Sequence, residues 1–206
     1  MKIENVQKRT LRTGLKLHHH QQNKMSILTD KTILKEIEKG TIKIEPFNRD
    51  NLGTNSYDLT LGNKLKVLRQ TGKPIDPRDA QQWDEIDIPE TGYILQPWRM
   101  YLAACNEYTE TLAHVPMLAD KSSLARLGLS THFNAGFGDV GFKGFWTIEL
   151  AVSHSIKIYP NMKICQIYYQ SITEKPLVPY DKKESAKYSN QGKAPQESKY
   201  NENFKK

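Results

Sequence analysis

The residues best suited to chemistry lie between positions 121 and 150, which read KSSLARLGLSTHFNAGFGDVGFKGFWTIEL. Glu149 stands between Ile148 and Leu150 at the end of an aromatic, apolar run. A carboxylate there either turns to solvent by strand alternation or, if turned inward, must be paired, because burying a lone charge is very costly. Arg126 is the candidate partner. A carboxylate held in such a place would serve as a tuned proton shuttle. Ser122 and Ser123 open a short segment that Gly128 closes, so either serine could cap one helical turn. The free N–H groups of a helix start suit phosphate, and Lys121 adds a cation. Asp139 lies among Gly136, Gly138, Gly141 and Gly144, which let the backbone turn sharply and approach a ligand closely. Singly, each signal has a bland alternative: capping serines, a surface arginine, a turn aspartate, and a packing role for His132.

These residues need a scaffold, and the pattern around them is one of short strands. Strands are expected at Tyr57–Leu61, Lys64–Leu68, Tyr93–Leu95, Met100–Cys105, Phe145–Val152, Ile156–Tyr159 and Lys163–Gln170, with Ile42 and Ile44 alternating in another. Gly, Pro, Asn and Asp punctuate them. One early helix is expected, with Thr29 or Asp30 as its cap, Ile33, Leu34 and Ile37 on its apolar face and Gly40 at its end. Many short strands with one early helix predict a mainly β fold, a distorted jelly-roll or barrel. The organised domain spans 25–179. The polar tail 180–206 reads as mobile.

The 206 residues carry a formal net charge of +7, which invites a nucleic-acid reading. The charge is not evenly spread. Residues 1–24 hold six Lys/Arg against one acid, and residues 174–206 hold eight against five. The body between them holds sixteen against seventeen, so a basic groove along it is not expected. Residues 1–24 read as an extension without order, and the adjacent His18, His19 and His20 as non-catalytic. No stretch approaches the roughly 18 apolar residues of a membrane helix. Cys105 and Cys165 form neither a disulfide framework nor a C-x-x-C pair. A cytoplasmic location is the expectation.

In combination the motifs are more specific. KSSLARLGL from Lys121, AGFGDVGF from Ala135 and WTIEL from Trp146 closely resemble the metal-independent dCTP deaminase family of the trimeric dUTPase-like superfamily. NSYDLTLG from Asn55, GYILQP from Gly92, MKICQ from Met162 and the tail Tyr180 to Gln191 extend the resemblance over about 180 residues, leaving out 1–24. The resemblance implies a dUTPase-like fold, a homotrimer, and Mg²⁺ accompanying the triphosphate. It implies Glu149 as general acid/base, Ser122 and Arg126 as holders of water, base and cytosine, and the Ala135 carbonyl as an orienter of that water. It also implies a substrate-binding set. Lys121 and Ser123 take phosphates, with Leu124 and Ala125 in the same motif. Asp139 takes the 3′-hydroxyl, Phe142 lies beside the sugar, and Thr147 and Ile148 lie on the base-contacting strand. Gln166, Tyr180, Lys187 and Gln191 close over the nucleotide from more than one subunit. Zinc is not implied: zinc deaminases need H-x-E with a distant P-C-x-x-C, whereas the mid-chain histidines read His114-Val-Pro, His132-Phe-Asn and His154-Ser-Ile. Many relatives have I-D-P-G where this chain has Gly138-Asp-Val-Gly141, so a looser loop around Asp139 is expected.

The leading expectation is therefore deamination of dCTP to dUTP and ammonia, with dTTP as a potential inhibitor and no nucleic-acid or membrane partner. The alternative is a bifunctional enzyme or dUTPase giving dUMP and pyrophosphate, because Gly136 to Gly144 also fits the superfamily's G-x-x-D-x-x-[aromatic]-x-G. A non-catalytic nucleotide-binding barrel is the reading from a different class.

Overall fold

The computed structural model describes residues 26–131 and 135–205. The expectation for 1–24 lies outside them, as does that for His132. The described chain begins with helix α1 (Asp30–Glu38) and strand β1 (Ile42–Glu45). There follow β2 (Tyr57–Leu68), β3 (Trp83–Asp87), β4 (Tyr93–Leu95), β5 (Tyr101–Thr111) and β6 (His114–Asp120). A one-turn helix α2 (Ser122–Ala125) leads to β7 (Leu129–Ser130), β8 (Lys143–Val152), β9 (Ile156–Ile158) and β10 (Lys163–Ser171). The main sheet runs β6-β10-β2-β5-β8-β7, with β1 added to β5 and β3 to β2, while β4 and β9 form a separate pair. The sheet curls into a nearly closed barrel, the mainly β architecture expected.

Period-two alternation builds the interior. Tyr57, Leu59 and Leu61 of β2, Tyr101, Ala103 and Cys105 of β5, Ile148 and Leu150 of β8, and Cys165, Ile167 and Tyr169 of β10 are all fully buried. The two expected strands at 57–61 and 64–68 are one long strand that changes register between Leu61 and Leu65. There Gly62 passes so close to the Ala104 carbonyl that an added Cβ would sit 2.8 Å from its oxygen. Three strands escaped the sequence pattern: β3, β6 and the two-residue β7. Trp83–Asp87 is charged and half exposed because it lies at an edge, and Pro116 masked β6. Proline removes a ladder donor, so it fits only where that donor is not needed. β6 ends the sheet path, and the Pro116 carbonyl instead accepts from Gly138 N–H at 2.9 Å.

Helix α1 buries Ile33 and, unexpectedly, Glu36. The Glu36 carboxylate accepts hydrogen bonds from Lys39 Nζ (2.6 Å) and Thr41 Oγ1 (2.6 Å) and lies 3.3 Å from His114 Nε2. Burial works to raise its pKa, but these partners outweigh it and hold the carboxyl at about 2. The cluster ties the helix to the start of β6. Helix α2 also differs from expectation. Lys121 occupies its N-cap position, no side chain caps the turn, and Ser122 and Ser123 lie within it. Gly128, at φ +81°, closes it through its N–H to the Ala125 carbonyl.

Candidate active site

Glu149 sits on β8 opposite Leu102 of β5. Alternation sends Trp146, Ile148 and Leu150 into the core and places Phe145, Thr147 and Glu149 on the other face. That face is only partly exposed. It forms one wall of a cavity of about 540 Å³ that also takes in Met100, Leu102 and Trp83. The Glu149 N–H donates to the Thr131 carbonyl at 3.0 Å. Thr131, fully buried, is itself held by Asp120 through its N–H (2.8 Å) and hydroxyl (2.5 Å). Asp120 directly precedes Lys121, so the turn that bears the serines and arginine is tied to the strand that bears Glu149.

The glycine loop forms a second wall. Ala135, Gly138, Asp139 and Phe142 all line the cavity. Gly138 is obligatory by packing: a Cβ there would meet Trp146 at 2.6 Å and Pro116 at 2.8 Å. Gly141 holds φ +95°. The loop, which lacks the proline of many relatives, makes three backbone hydrogen bonds to its surroundings. Gly138 N–H reaches Pro116 O, Gly141 N–H reaches Thr111 O, and Val140 O accepts from Tyr180 N–H, each at 2.8 or 2.9 Å. Phe142 stacks on Trp146 with ring centroids 4.2 Å apart, and the Trp146 indole N–H donates to Thr109 Oγ1 at 2.9 Å.

The tail is the third wall. Its polar composition suggests mobility, yet it lies across its own barrel. Gln191 bridges Gly144, its side-chain oxygen accepts from Thr147 Oγ1 at 3.0 Å, and its carbonyl accepts from Phe145 N–H. Tyr180, Tyr188, Gln191, Gln196 and Glu197 line the cavity. The last two, with Tyr188, were not singled out by sequence. They fall in a polar stretch with no periodicity, and only the contacts of the folded barrel select them.

The expected site residues thus fall into two groups. Ala135, Asp139, Phe142, Thr147, Glu149, Tyr180 and Gln191 share the cavity. Ile148 is on the same strand but turned into the core. Lys121, Ser122, Ser123, Leu124, Ala125 and Arg126 lie on or beside α2, outside the cavity wall. Arg126 is exposed, and its guanidinium donates to the Ser122 carbonyl at 3.3 Å, not to Glu149 as the sequence suggested. The Lys121 ammonium is 2.6 Å from Asp58 Oδ1, and Gln166 joins this group through its amide to the Asp120 carbonyl. Lys187 donates to Asn203 Oδ1 and lies over the Tyr200 ring. The cavity's described lining holds the carboxylates Asp79, Asp139, Glu149 and Glu197 and no Lys or Arg, whereas the second group is cationic. Among the described residues no helix is long and apolar enough to cross a membrane.

Known proteins resemble this chain in sequence and fold. A dCTP deaminase-like family model matches residues 27–172. A "dCTP deaminase, dUMP-forming" of Clostridium botulinum is 45% identical over 164 residues, 80% of this chain and 91% of the relative. One of Leptospira biflexa with the same name is 44% identical over 170 residues, 82% and 94% respectively. A crystal structure of 2′-deoxycytidine 5′-triphosphate deaminase from Agrobacterium tumefaciens superposes with a TM-score of 0.57 at 20% identity. It covers 72% of this chain and 49% of that longer one, a likeness of fold. The chain belongs to the dCTP deaminase-like family.

Proposed function

We propose that this protein deaminates dCTP and carries the product on to dUMP and pyrophosphate. The observation that favours the second step is that Asp139 and Glu149, one carboxylate for each reaction, border the same cavity. The relatives named dUMP-forming add weight to it. Release of dUTP as the end product, the leading expectation from sequence, is the less supported reading.

In deamination, water attacks C4 of the cytosine while N3 gains a proton; ammonia then leaves the tetrahedral intermediate and a carbonyl remains. Glu149 takes a proton from the attacking water and delivers it to N3, then takes the proton of the new C4 hydroxyl and delivers it to the leaving nitrogen as the carbonyl forms. Such acid–base help is worth about 10²–10⁴-fold, and orientation by Ser122, Arg126 and the Ala135 carbonyl adds to it. In the second step Asp139 orients a water that adds to the α-phosphorus, and pyrophosphate departs. Phe142 beside the sugar would leave poor room for a 2′-hydroxyl.

A triphosphate is poorly matched by a cavity whose described lining offers carboxylates and no cation. The missing charge lies on Lys121 and Arg126. We therefore assign the complete site to a homotrimer, in which the α2 turn of one subunit meets the Glu149 cavity of the next. Leu127, beside Arg126, and Phe137, on the glycine loop, are exposed apolar side chains that suit such a contact. Among the described residues no three His, Cys, Asp or Glu side chains group to form a metal cage. In this reading Mg²⁺ arrives on the triphosphate oxygens and offsets their charge. The deciding experiment is incubation of the enzyme with dCTP and Mg²⁺ and separation of the products. Ammonia with dUMP and pyrophosphate supports the proposal, dUTP alone restricts it to the first step, and no turnover overturns it. Activity after EDTA treatment with Mg²⁺ restored is expected, and a demand for Zn²⁺ would contradict the proposed chemistry.

A further inference from the structure

The cavity's third wall is fastened to the strand that carries Glu149 by two hydrogen bonds and to β2 by an ion pair. The Thr147 hydroxyl donates to Gln191 Oε1 at 3.0 Å and accepts from Gln196 N–H at 2.9 Å. Its one proton and one lone pair are thereby engaged by the tail. At the next residue of the tail, Lys66 of β2 holds the Glu197 carboxylate at 2.8 Å, with Glu85 of β3 3.5 Å away from the same ammonium. The Lys66 side chain is only 16% exposed, and the bond to Glu197 raises its pKa. One fastener is neutral and local to the Glu149 strand; the other is ionic and reaches β2, on the far side of β5 in the same sheet. Between them they span Gln191 to Glu197, and Gln191, Gln196 and Glu197 all face the cavity.

We propose that Thr147 and Lys66 are positioning residues that clasp the C-terminal segment of the same chain as the outer wall of the active-site cavity, with Lys66–Glu197 the salt-sensitive half of the clasp. The link from clasp to catalysis rests on the deaminase reading; the clasp itself does not. A valine at 147 keeps the shape of threonine but removes the donor to Gln191 and the acceptor for Gln196. Serine restores both. An exposed ion pair weakens with salt, whereas the threonine contacts do not.

The test is made first on the nucleotide-free enzyme. Trimming by carboxypeptidase Y, followed by mass spectrometry, reads how often the tail leaves the barrel. T147V is expected to be trimmed about tenfold faster than wild type, the scale of a lost hydrogen bond with a partner left unpaired. T147S is expected to behave as wild type. E197Q and K66Q are expected to be trimmed about two- to fivefold faster, the scale of a partly exposed ion pair. Raising NaCl to about 0.5 M speeds wild type and leaves E197Q unchanged. The second measurement is KM for dCTP, which rises in E197Q and K66Q in the same order as the trimming rates. Wild-type protection in both T147V and E197Q overturns the clasp. Faster trimming with unchanged KM overturns its role as an active-site wall. Absence of dCTP turnover in wild type refutes the deaminase reading, and the trimming rates still judge the clasp.

Discussion

The Glu149 cavity and the α2 turn contain the two halves of one motif set, yet within a single chain they are opposite in character. The cavity is apolar, walled by β8, the glycine loop and the tail, and its described charges are negative. The turn is exposed and cationic, and its side chains are occupied locally: Arg126 with the Ser122 carbonyl, Lys121 with Asp58. Hydrogen bonds connect them: Thr131 N–H donates to the Asp120 carboxylate, and Glu149 N–H to the Thr131 carbonyl. Within one protomer the half-sites lie apart, and in the proposed homotrimer a second copy brings unlike halves together. Low dielectric surroundings strengthen a carboxylate's proton chemistry, whereas a polyanion needs cations that an apolar wall cannot supply.

The comparison breaks most decisively at Glu149. E149Q is expected to lower ammonia release by about 10²–10⁴-fold, the scale of general acid–base catalysis, without loss of fold. Full activity in E149Q would remove the cavity from the chemistry. The next effect tests the sharing of halves. R126A alone is expected to be strongly impaired although Arg126 is exposed in the protomer, and mixing R126A with E149Q chains after dissociation should recover activity. Mixed trimers then contain some intact Arg126–Glu149 pairings. No recovery would place both residues in one chain's site. A smaller effect separates the two reactions. D139N is expected to lower dUMP formation more than ammonia release, so that dUTP accumulates, as read by product chromatography.

The smallest expected effect lies away from both regions and is thermodynamic. Glu36 is depressed to about 2 in the folded state, so its contribution is present above its unfolded pKa and lost as pH falls toward 2. E36Q should melt below wild type near neutrality, and the gap should close between about pH 4.5 and pH 2. A gap that persists at low pH would mean that packing, not charge, holds α1 to β6.

Much of this protein is legible in its residues. The glycine spacing around Asp139 marks a close backbone approach, and Gly138 against Trp146 shows why. The alternation through WTIEL places Glu149 opposite the core, since strand periodicity is a local property of the backbone. Other features are not local. Pro116 hides a strand that survives because it lies at an edge next to the glycine loop. Glu36, which helical pattern alone would send to solvent, is buried because Lys39, Thr41 and His114 converge on it.

The sequence by itself determined the family and the mainly β class, and it put forward the groups proposed to move protons and bind phosphate, because these rest on residue type and short-range spacing. Only the tertiary structure decided which of those groups share a cavity, that the outer face of β8 is partly covered, and that a polar tail lies as a wall instead of trailing in solvent. Those outcomes depend on contacts between residues far apart in the chain, such as Thr147 with Gln191 and Lys66 with Glu197, and no local pattern encodes them.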